Sequence, residues 1–202
     1  MLEPHQQQVK TFLGNLILLP EAELSSFCAD AQLRSYSKGQ DFIRAGEICQ
    51  ELLFIHEGAF RYYLLTDDKD HTKDFSPEGT FCTAFTSLVT RKPSAIYIAA
   101  LEDAEVSVWP GEAFTKRAET SLAWQKLFRL FAQGLYIRKE QREISLLADD
   151  AKGRYLHFQK TFPSLANFKD VEERIPQHMI ASYLGLTPET LSRVRRELKK
   201  SS

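Results

Sequence analysis

Near the carboxyl end of the chain, three side chains at helical spacing have the chemistry to recognise nucleotide bases. Glu189 and Arg193 are four residues apart and Ser192 lies between them, so all three fall on neighbouring parts of one helix surface. Arginine can donate two hydrogen bonds to guanine, and a carboxylate can accept one from the cytosine amino group. The spacing therefore predicts that Glu189 and Arg193 read neighbouring base positions of DNA together and that Ser192 contacts a base or a phosphate.

Six neighbouring residues suit contacts with the DNA backbone. Hydroxyl and cationic groups bind phosphate oxygens, which orients a protein on the duplex without specifying a sequence. The predicted phosphate-contacting residues are Thr187, Thr190, Arg195, Arg196, Lys199 and Lys200. The alternative interpretation is ordinary helix chemistry, in which Glu189 only stabilises the helix start and pairs with Arg193 on the surface.

Two short helices joined by a glycine turn would hold these residues in place. Pro176 suits the first turn of the first helix, Gly185 supplies the left-handed conformation that ends it, and Thr187 caps the second helix before Pro188. Both helices carry apolar residues that would pack together, namely Ile180, Ala181, Leu184, Leu191, Val194 and Leu198. This pattern predicts a helix-turn-helix whose second helix turns its polar side outward.

Positive charge is concentrated in the same part of the chain. From Lys152 to the end there are ten Lys or Arg and five Asp or Glu, a net charge of +5. Residues 1–151 carry sixteen and twenty-two, a net charge of −6. The overall charge of −1 therefore hides a basic tail on an acidic body, and phosphate binding requires only the local charge.

The preceding region changes from strands to one long helix. β-rich segments alternate with glycine turns from about 31 to 109, and seven or eight such strands are typical of a small barrel or sandwich. Helical patterns are expected over 4–14, 20–29, 111–118, about 120–147, and 154–162. The long helix is a candidate dimer contact through Leu127, Leu130, Phe131 and Ile137. Gly153 is expected to break it, with a hinge near Asp149–Gly153.

Other functional classes are less compatible with the composition. Cys28, Cys49 and Cys82 are scattered and odd in number, which indicates buried thiols in a reducing cytoplasm. No apolar run approaches the ~20 residues that span a membrane, and the start of the chain lacks a secretory pattern. We therefore expect a cytoplasmic protein with no membrane association.

A β-barrel with histidines also raises the possibility of a cupin-like metal enzyme. Only His56, Glu57 and His71 lie in the β region as candidate ligands, and no His-x-His pair is present. The chain also has no glycine-rich phosphate loop and no Ser/His/Asp motif. The prediction is a protein that is not an enzyme and carries no metal or cofactor.

With this order of elements the chain resembles the Crp/Fnr family of bacterial transcription regulators, from about residue 20 to residue 200. The segments Lys38–Glu47 and Leu53–Gly58 are similar to the front of that family's β-roll, and Glu189-Thr-Leu-Ser-Arg193 is similar to the Glu-x-x-Ser-Arg signature of the Fnr branch. The resemblance implies a homodimer that binds a palindromic operator, with RNA polymerase as a further partner. Glu189, Ser192 and Arg193 would contact the bases.

The fold implied by the resemblance is α+β. An N-terminal double-stranded β-helix (jelly-roll, cupin-like) sensor of the cyclic-nucleotide-binding type would occupy residues 1–119. A dimerisation helix over 120–148 and a C-terminal winged helix-turn-helix over 149–202 would follow.

The effector side departs from the cyclic-nucleotide members of the family. Thr83-Ala84 stands where those members have a Gly-Glu pair for the ribose, and Pro93-Ser94 stands where they have Arg-Ser or Arg-Thr for the phosphate. A buried phosphate needs a paired cation, and proline offers neither charge nor N–H. The neighbouring Arg91 and Lys92 are the available substitutes.

We therefore expect an effector other than cyclic AMP, or none. The candidate effector pocket consists of Phe81, Thr83, Ala84, Phe85, Arg91 and Ser94. The N-terminal cysteine cluster of the iron–sulfur members is missing as well. The alternative function is a ligand-binding β-roll sensor that acts through protein partners without binding DNA.

Overall fold

A computed structural model describes residues 3–67, 69–166 and 174–201. The chain forms two compact units. The first unit comprises Met1–Arg61 and Phe75–Leu135, and the second comprises Tyr62–Asp74 and Tyr136–Ser202. The unit boundaries cut through a β-hairpin and through the longest helix, so each unit combines segments that are distant in sequence.

The described residues contain eight strands: β1 (Gln32–Tyr36), β2 (Asp41–Ile43), β3 (Glu51–Glu57), β4 (Ala59–Thr66), β5 (Lys69–Pro77), β6 (Phe81–Cys82), β7 (Tyr97–Ala100) and β8 (Ala104–Pro110). They form two four-stranded sheets, with strand orders β1-β8-β3-β6 and β2-β7-β4-β5. Strand β8 pairs antiparallel with both β1 and β3, so that Val108 lies opposite Gln32 on one side and Leu53 on the other. The predicted α+β class with a double-stranded β-roll is confirmed.

Most helices precede or follow the strands in sequence, and one lies between β6 and β7. They are α1 (Pro4–Leu16), α2 (Glu21–Ala29), α3 (Phe85–Thr90), α4 (Gly111–Thr120), α5 (Leu122–Ala148), α6 (Ala151–Thr161), α7 (Pro163–Ala166), α8 (Gln177–Leu184) and α9 (Pro188–Ser201). The sequence patterns do not predict α3 and α7, which are too short to show a periodicity. Across the described ranges, no helix combines the length and apolar character needed to cross a membrane.

An aromatic core holds the helices of the first unit on sheet β1-β8-β3-β6. The Phe27 ring stacks on the Trp109 ring with centroids 4.6 Å apart, and the Trp109 Nε1–H donates to the Phe27 carbonyl over 2.7 Å. Trp124 and Leu127 of α5 are fully buried in the same cluster. The first half of α5 is therefore part of the core of its own chain.

The break between α5 and α6 lies at Asp149 and Asp150 rather than at Gly153. The Asp150 carboxylate accepts a hydrogen bond from the Gly153 amide over 2.8 Å, which caps α6 and places Gly153 in its first turn. A Cβ at Gly153 would lie 3.0 Å from the Asp149 Cβ, so the close approach of Asp149 favours glycine there. The expected break is present, but its cause is aspartate capping.

Candidate nucleic-acid interface

The first helix of the candidate interface, α8, ends as its sequence predicts and begins one residue later. Gly185 adopts φ 63° and ψ 34°, the left-handed conformation that few other residues tolerate. The Leu186 amide then donates to the Ala181 carbonyl over 2.9 Å, which closes the helix. Pro176 was expected in the first turn, but its ψ of 132° keeps it extended and the helix starts at Gln177.

The second helix, α9, begins at a threonine cap. The Thr187 hydroxyl accepts a hydrogen bond from the Thr190 amide over 3.2 Å. The backbone amide of Glu189 and the Thr187 hydroxyl hold the pKa of the Glu189 carboxyl below its usual range, so Glu189 is ionised at neutral pH. This contact favours the helix-stabilising interpretation of Glu189, while its exposure also leaves the carboxylate accessible to a base.

The inner sides of α8 and α9 are apolar and buried. Ile180 and Leu191 are fully buried, and Leu184 and Val194 are at most 4% exposed. Leu198 is half-buried. Since this packing fixes the rotation of α9 about its axis, it also determines which residues face outward.

The outer side of α9 is exposed and mostly basic. Among the described residues, no hydrogen-bonding or ion-pair partner is found for its exposed members Ser192, Arg193, Arg196, Lys199 and Lys200. In particular, Glu189 and Arg193 do not pair with each other across the helix turn. Four guanidinium or ammonium groups are therefore available to an anionic partner.

Three predicted phosphate-contacting residues have contacts within the protein. The Arg195 guanidinium lies 6.0 Å from the centre of the Tyr155 ring, and Arg195 is half-buried on the flank of α9. Thr190 is half-buried as well, and Thr187 is the helix cap. Glu197 is an exposed acidic residue on the same helix, and the sequence analysis did not single it out. Its position four residues after Arg193 is the signal that could have identified it as a neighbour of Arg193 on the helix surface.

Arginine side chains hold α8 within the second unit. Arg142 of α5 donates to the Tyr183 carbonyl over 2.8 Å, and its guanidinium lies 4.3 Å from the centre of the Tyr183 ring. Arg154 of α6 donates to the Leu184 carbonyl over 3.3 Å and to the Leu146 carbonyl over 2.9 Å. These bonds satisfy carbonyls at two helix ends and connect α5, α6 and α8.

The six residues of the predicted effector pocket contact different neighbours. Phe81 packs against Phe54, Phe12 and Phe131, whereas Phe85 lies beside Phe128. The remaining four are placed as follows: Thr83 donates to the Glu51 carbonyl, Ala84 is buried, Arg91 approaches Glu112 at 3.6 Å, and Ser94 donates to the Ile96 carbonyl. The polar groups of this set are thus engaged by the protein itself.

The space between the two sheets contains large side chains. Tyr36 of one sheet meets Phe60 of the other in an edge-to-face contact with centroids 5.4 Å apart. Phe60, Phe75 and Ile98 are fully buried, and Tyr36 is 5% exposed. Aromatic side chains therefore occupy part of the interior in which a ligand of the β-roll would sit.

A cavity of about 640 Å³ lies instead beside α1. Phe12 and Phe54 provide apolar walls, and Gln8 and His56 provide polar ones. The His56 ring contacts the side-chain amide oxygen (Oε1) of Gln8 through Nδ1 and the Ser107 hydroxyl through Nε2, the latter over 2.7 Å. Burial, and then the nearby His5, lowers the pKa of His56 to about 4, so the ring is neutral at physiological pH.

The predicted dimer residues differ in their exposure. Leu127 is fully buried, Leu130 and Phe131 are half-buried, and Ile137 is 50% exposed. Ile144 is 57% exposed one heptad after Ile137. In the described part of the chain, no group of three or more His, Cys, Asp or Glu residues is suited to hold a metal ion.

Comparison with known proteins identifies the β-roll. Residues 33–121 match the family model of the cyclic nucleotide-binding domain. No curated protein sequence has significant similarity to the chain.

Solved structures extend the likeness to most of the chain. FixK2 from Bradyrhizobium japonicum is 22% identical, with a TM-score of 0.74 and 85% coverage of each chain. A Crp/Fnr-family protein from Eubacterium rectale is 17% identical, with a TM-score of 0.66 and coverage of 94% of this chain and 87% of that chain. CLP, a c-di-GMP-responsive global regulator of Xanthomonas campestris, is 19% identical, with a TM-score of 0.61 and coverage of 90% and 93%. The predicted resemblance is therefore confirmed at the level of the fold: residues 33–121 match the cyclic nucleotide-binding domain, and most of the chain has the fold of these solved structures.

Proposed function

We propose that the chain is a bacterial, cytoplasmic transcription regulator that binds a two-fold symmetric DNA operator as a homodimer and has no enzymatic activity. The single observation that carries this proposal is the outer side of α9, where Arg193, Arg196, Lys199 and Lys200 are exposed and none has a partner among the described residues. Unpaired cations on one side of a well-packed helix suit phosphate and base contacts in a major groove. RNA polymerase is a further partner in this proposal.

Within α9, Glu189, Ser192 and Arg193 are assigned to base edges, and Arg196, Lys199 and Lys200 to phosphates. Arg193 can bind guanine through both terminal nitrogens because no carboxylate of the described chain holds it. Arg195 has a smaller share in phosphate binding, since its guanidinium lies against Tyr155. Thr187 and Thr190 act mainly by starting the helix. The only regular elements among the described residues of 149–202 are helices, so the wing of the predicted winged helix-turn-helix is not seen among them, and residues 167–173 lie outside the described ranges.

The homodimer is assigned to one side of α5. Ile137 and Ile144 are one heptad apart and at least half exposed, and Leu147 is 81% exposed three residues later. This spacing is that of a coiled-coil seam. These residues form an apolar stripe along α5, and Leu130, one heptad before Ile137, extends it toward the start of the helix. Leu127 and Phe131 pack in the aromatic core instead, so they are not part of the proposed seam.

Residues 1–119 act as the sensor in this proposal, residues 120–148 as the dimer helix and residues 149–202 as the DNA-binding part. The effector is not cyclic AMP. Ala84 and Pro93 replace the groups that hold the ribose and phosphate of a cyclic nucleotide, and Arg91 approaches Glu112 on the surface.

Selection of bound duplexes from a random DNA pool tests the partner, the symmetry and the spacing together. We expect inverted repeats whose half-sites lie about 34 Å apart, one turn of DNA. Arg193→Ala should lose about 1–3 kcal/mol of discrimination at one base pair of each half-site. The matched control is Lys38→Ala, which removes an exposed cation from the β-roll. The failure of any duplex to be enriched would favour a sensor that acts through protein partners.

A further inference from the structure

Four cations and one carboxylate lie near one another in the second unit. Lys73 lies on β5, and Arg138, Lys139 and Arg142 lie on the second half of α5. The carboxylate is Asp74, whose Oδ2 is 3.1 Å from Arg138 Nη2. Asp74 is the one acidic group of the described chain that acts appreciably on Lys73, so the group carries four positive charges and one negative charge. We call these four cations the hairpin–helix cluster.

This excess of charge opposes the charged form of Lys73. Burial lowers the pKa of the Lys73 ammonium, and Lys139 lowers it further, with smaller contributions from Arg142 and Arg138. Asp74 acts in the opposite direction but is outnumbered. Like charges brought together at the edge of a core are unfavourable unless a counter-charge accompanies them.

Two arginine N–H groups of the cluster also lack an acceptor. Arg138 Nε and Arg142 Nε are shielded from water and bond to no atom of the described chain. The outer nitrogens are engaged differently, since Arg138 Nη2 contacts Asp74 and Arg142 Nη2 donates to the Tyr183 carbonyl. A buried donor without an acceptor is unfavourable, because it has lost its hydrogen bond to water and gained none in return. Small local movements would let each guanidinium present this N–H to an anion.

The cluster lies on the flank of α5 that the proposed dimer seam does not use. Arg138, Lys139 and Arg142 occupy heptad positions opposite the stripe of Ile137 and Ile144. Lys139 is exposed, which gives access from solvent. A second copy of the chain seated on the stripe would leave the cluster open, and this step rests on the proposed dimer.

We propose that the hairpin–helix cluster binds a small oxyanion, either inorganic phosphate or the phosphate group of a phosphorylated metabolite. Guanidinium groups match the oxygens of phosphate in pairs, and the ammonium groups supply additional charge. The four cations outnumber the Asp74 carboxylate, so the site has a net positive charge, and a phosphate dianion neutralises more of that charge than a single carboxylate does. Lys73 lies within the stretch 33–121 that matches the cyclic nucleotide-binding domain, whereas Arg138, Lys139 and Arg142 lie beyond it, so both parts of the chain contribute to the site.

Binding at the cluster would act directly on the helix that supports α9. Arg142 is bonded to the Tyr183 carbonyl of α8, and the Thr72 amide, next to Lys73, donates to the Ser182 hydroxyl over 2.9 Å. An anion that draws Lys73 toward Arg142 would reinforce both attachments. The cluster is therefore a regulatory site for the placement of α8.

Calorimetric titration of the full chain with sodium phosphate, without DNA and at constant ionic strength, tests the proposal. We expect saturable binding that Lys139→Gln and Lys73→Gln each weaken by about fivefold or more, whereas Lys126→Gln, an exposed position elsewhere on α5, leaves it unchanged. Adenosine monophosphate and glucose 6-phosphate form a second arm. Tighter binding of either one identifies a metabolite, and equal binding of all three identifies the phosphate group itself.

Thermal unfolding supplies a control for folding. In chloride buffer Lys73→Gln should melt no lower than the unmodified chain, because it removes a repelled charge, yet it should lose the rise in Tm that phosphate produces. Three results would overturn the proposal. They are no saturable binding by the unmodified chain, binding by both cluster variants as tight as that of the unmodified chain, or loss of binding in Arg193→Gln alone. The last would assign the anion to α9. DNA binding is measured separately, so its failure would not be confused with these results.

Discussion

The salt dependence of DNA binding is the prediction that follows most directly from the exposed side of α9. Each α9 carries three cations assigned to phosphates, Arg196, Lys199 and Lys200, and none has a partner among the described residues, so a homodimer presents six. Each phosphate neutralised contributes about −0.9 to the slope of log K against log salt. If all six engage, the slope is about −5, and the affinity falls by roughly 10³ between 50 and 200 mM salt.

Fluorescence anisotropy with a labelled duplex over a series of salt concentrations measures this slope. Lys199→Gln removes two cations from the dimer and should reduce the slope by about 2. Arg195→Gln should reduce it less, since Arg195 lies against Tyr155, and Lys38→Gln on the β-roll should leave it unchanged. A slope flatter than about −2, or equal effects of Lys199→Gln and Lys38→Gln, would refute the assignment of α9 to DNA.

Three further predictions concern His56, the dimer seam and the effector. The folded-state pKa of His56 is about 4 and the unfolded value is 6.5, so the unfolded chain binds more protons between these values. Stability should therefore fall as the pH drops from 6.5 toward 4, by up to about 3 kcal/mol, and urea unfolding should show a weaker pH dependence for His56→Gln. Equal pH profiles for the two proteins would contradict the buried neutral imidazole. Changing Ile137 and Ile144 to glutamate should give monomers by light scattering, whereas Leu122→Glu, exposed on the same helix outside the stripe, should remain dimeric; a double variant of dimer mass would refute the seam. Calorimetric titration with cyclic AMP should show no micromolar binding, and a micromolar affinity would mean that Ala84 and Pro93 are compatible with the nucleotide.

Local spacing was sufficient to predict the elements and the helix ends. The left-handed Gly185, the Thr187 cap and the buried positions Ile180, Leu191 and Val194 all follow from interactions within a few residues, and the structure confirms them. The long helix and the strand-rich region were predicted for the same reason, since periodicities of 3.6 and 2 appear in consecutive residues, whereas the β-roll was implied by the family resemblance. The limits of α5 agree with the expected 120–147 to within a few residues.

Contacts between distant segments were beyond this kind of prediction. Leu127 and Phe131 have the spacing of a dimer seam, yet α5 packs them into the aromatic core. Arg195 has the position of a phosphate contact, yet α6 brings Tyr155 beside it. Periodicity cannot distinguish these outcomes because a helix has several apolar or basic faces and only packing decides which one is covered.

The sequence by itself determined which helices and strands form, where α8 and α9 end, and which residue types stand on each face of α9. Those properties depend on backbone conformation and on side chains within one or two turns. The tertiary structure alone decided which of those faces remain exposed, and it brought Asp74 to Arg138 across 64 positions of sequence. Burial and charge pairing over such separations arise only when the sheets and helices pack together, so they cannot be deduced from local spacing.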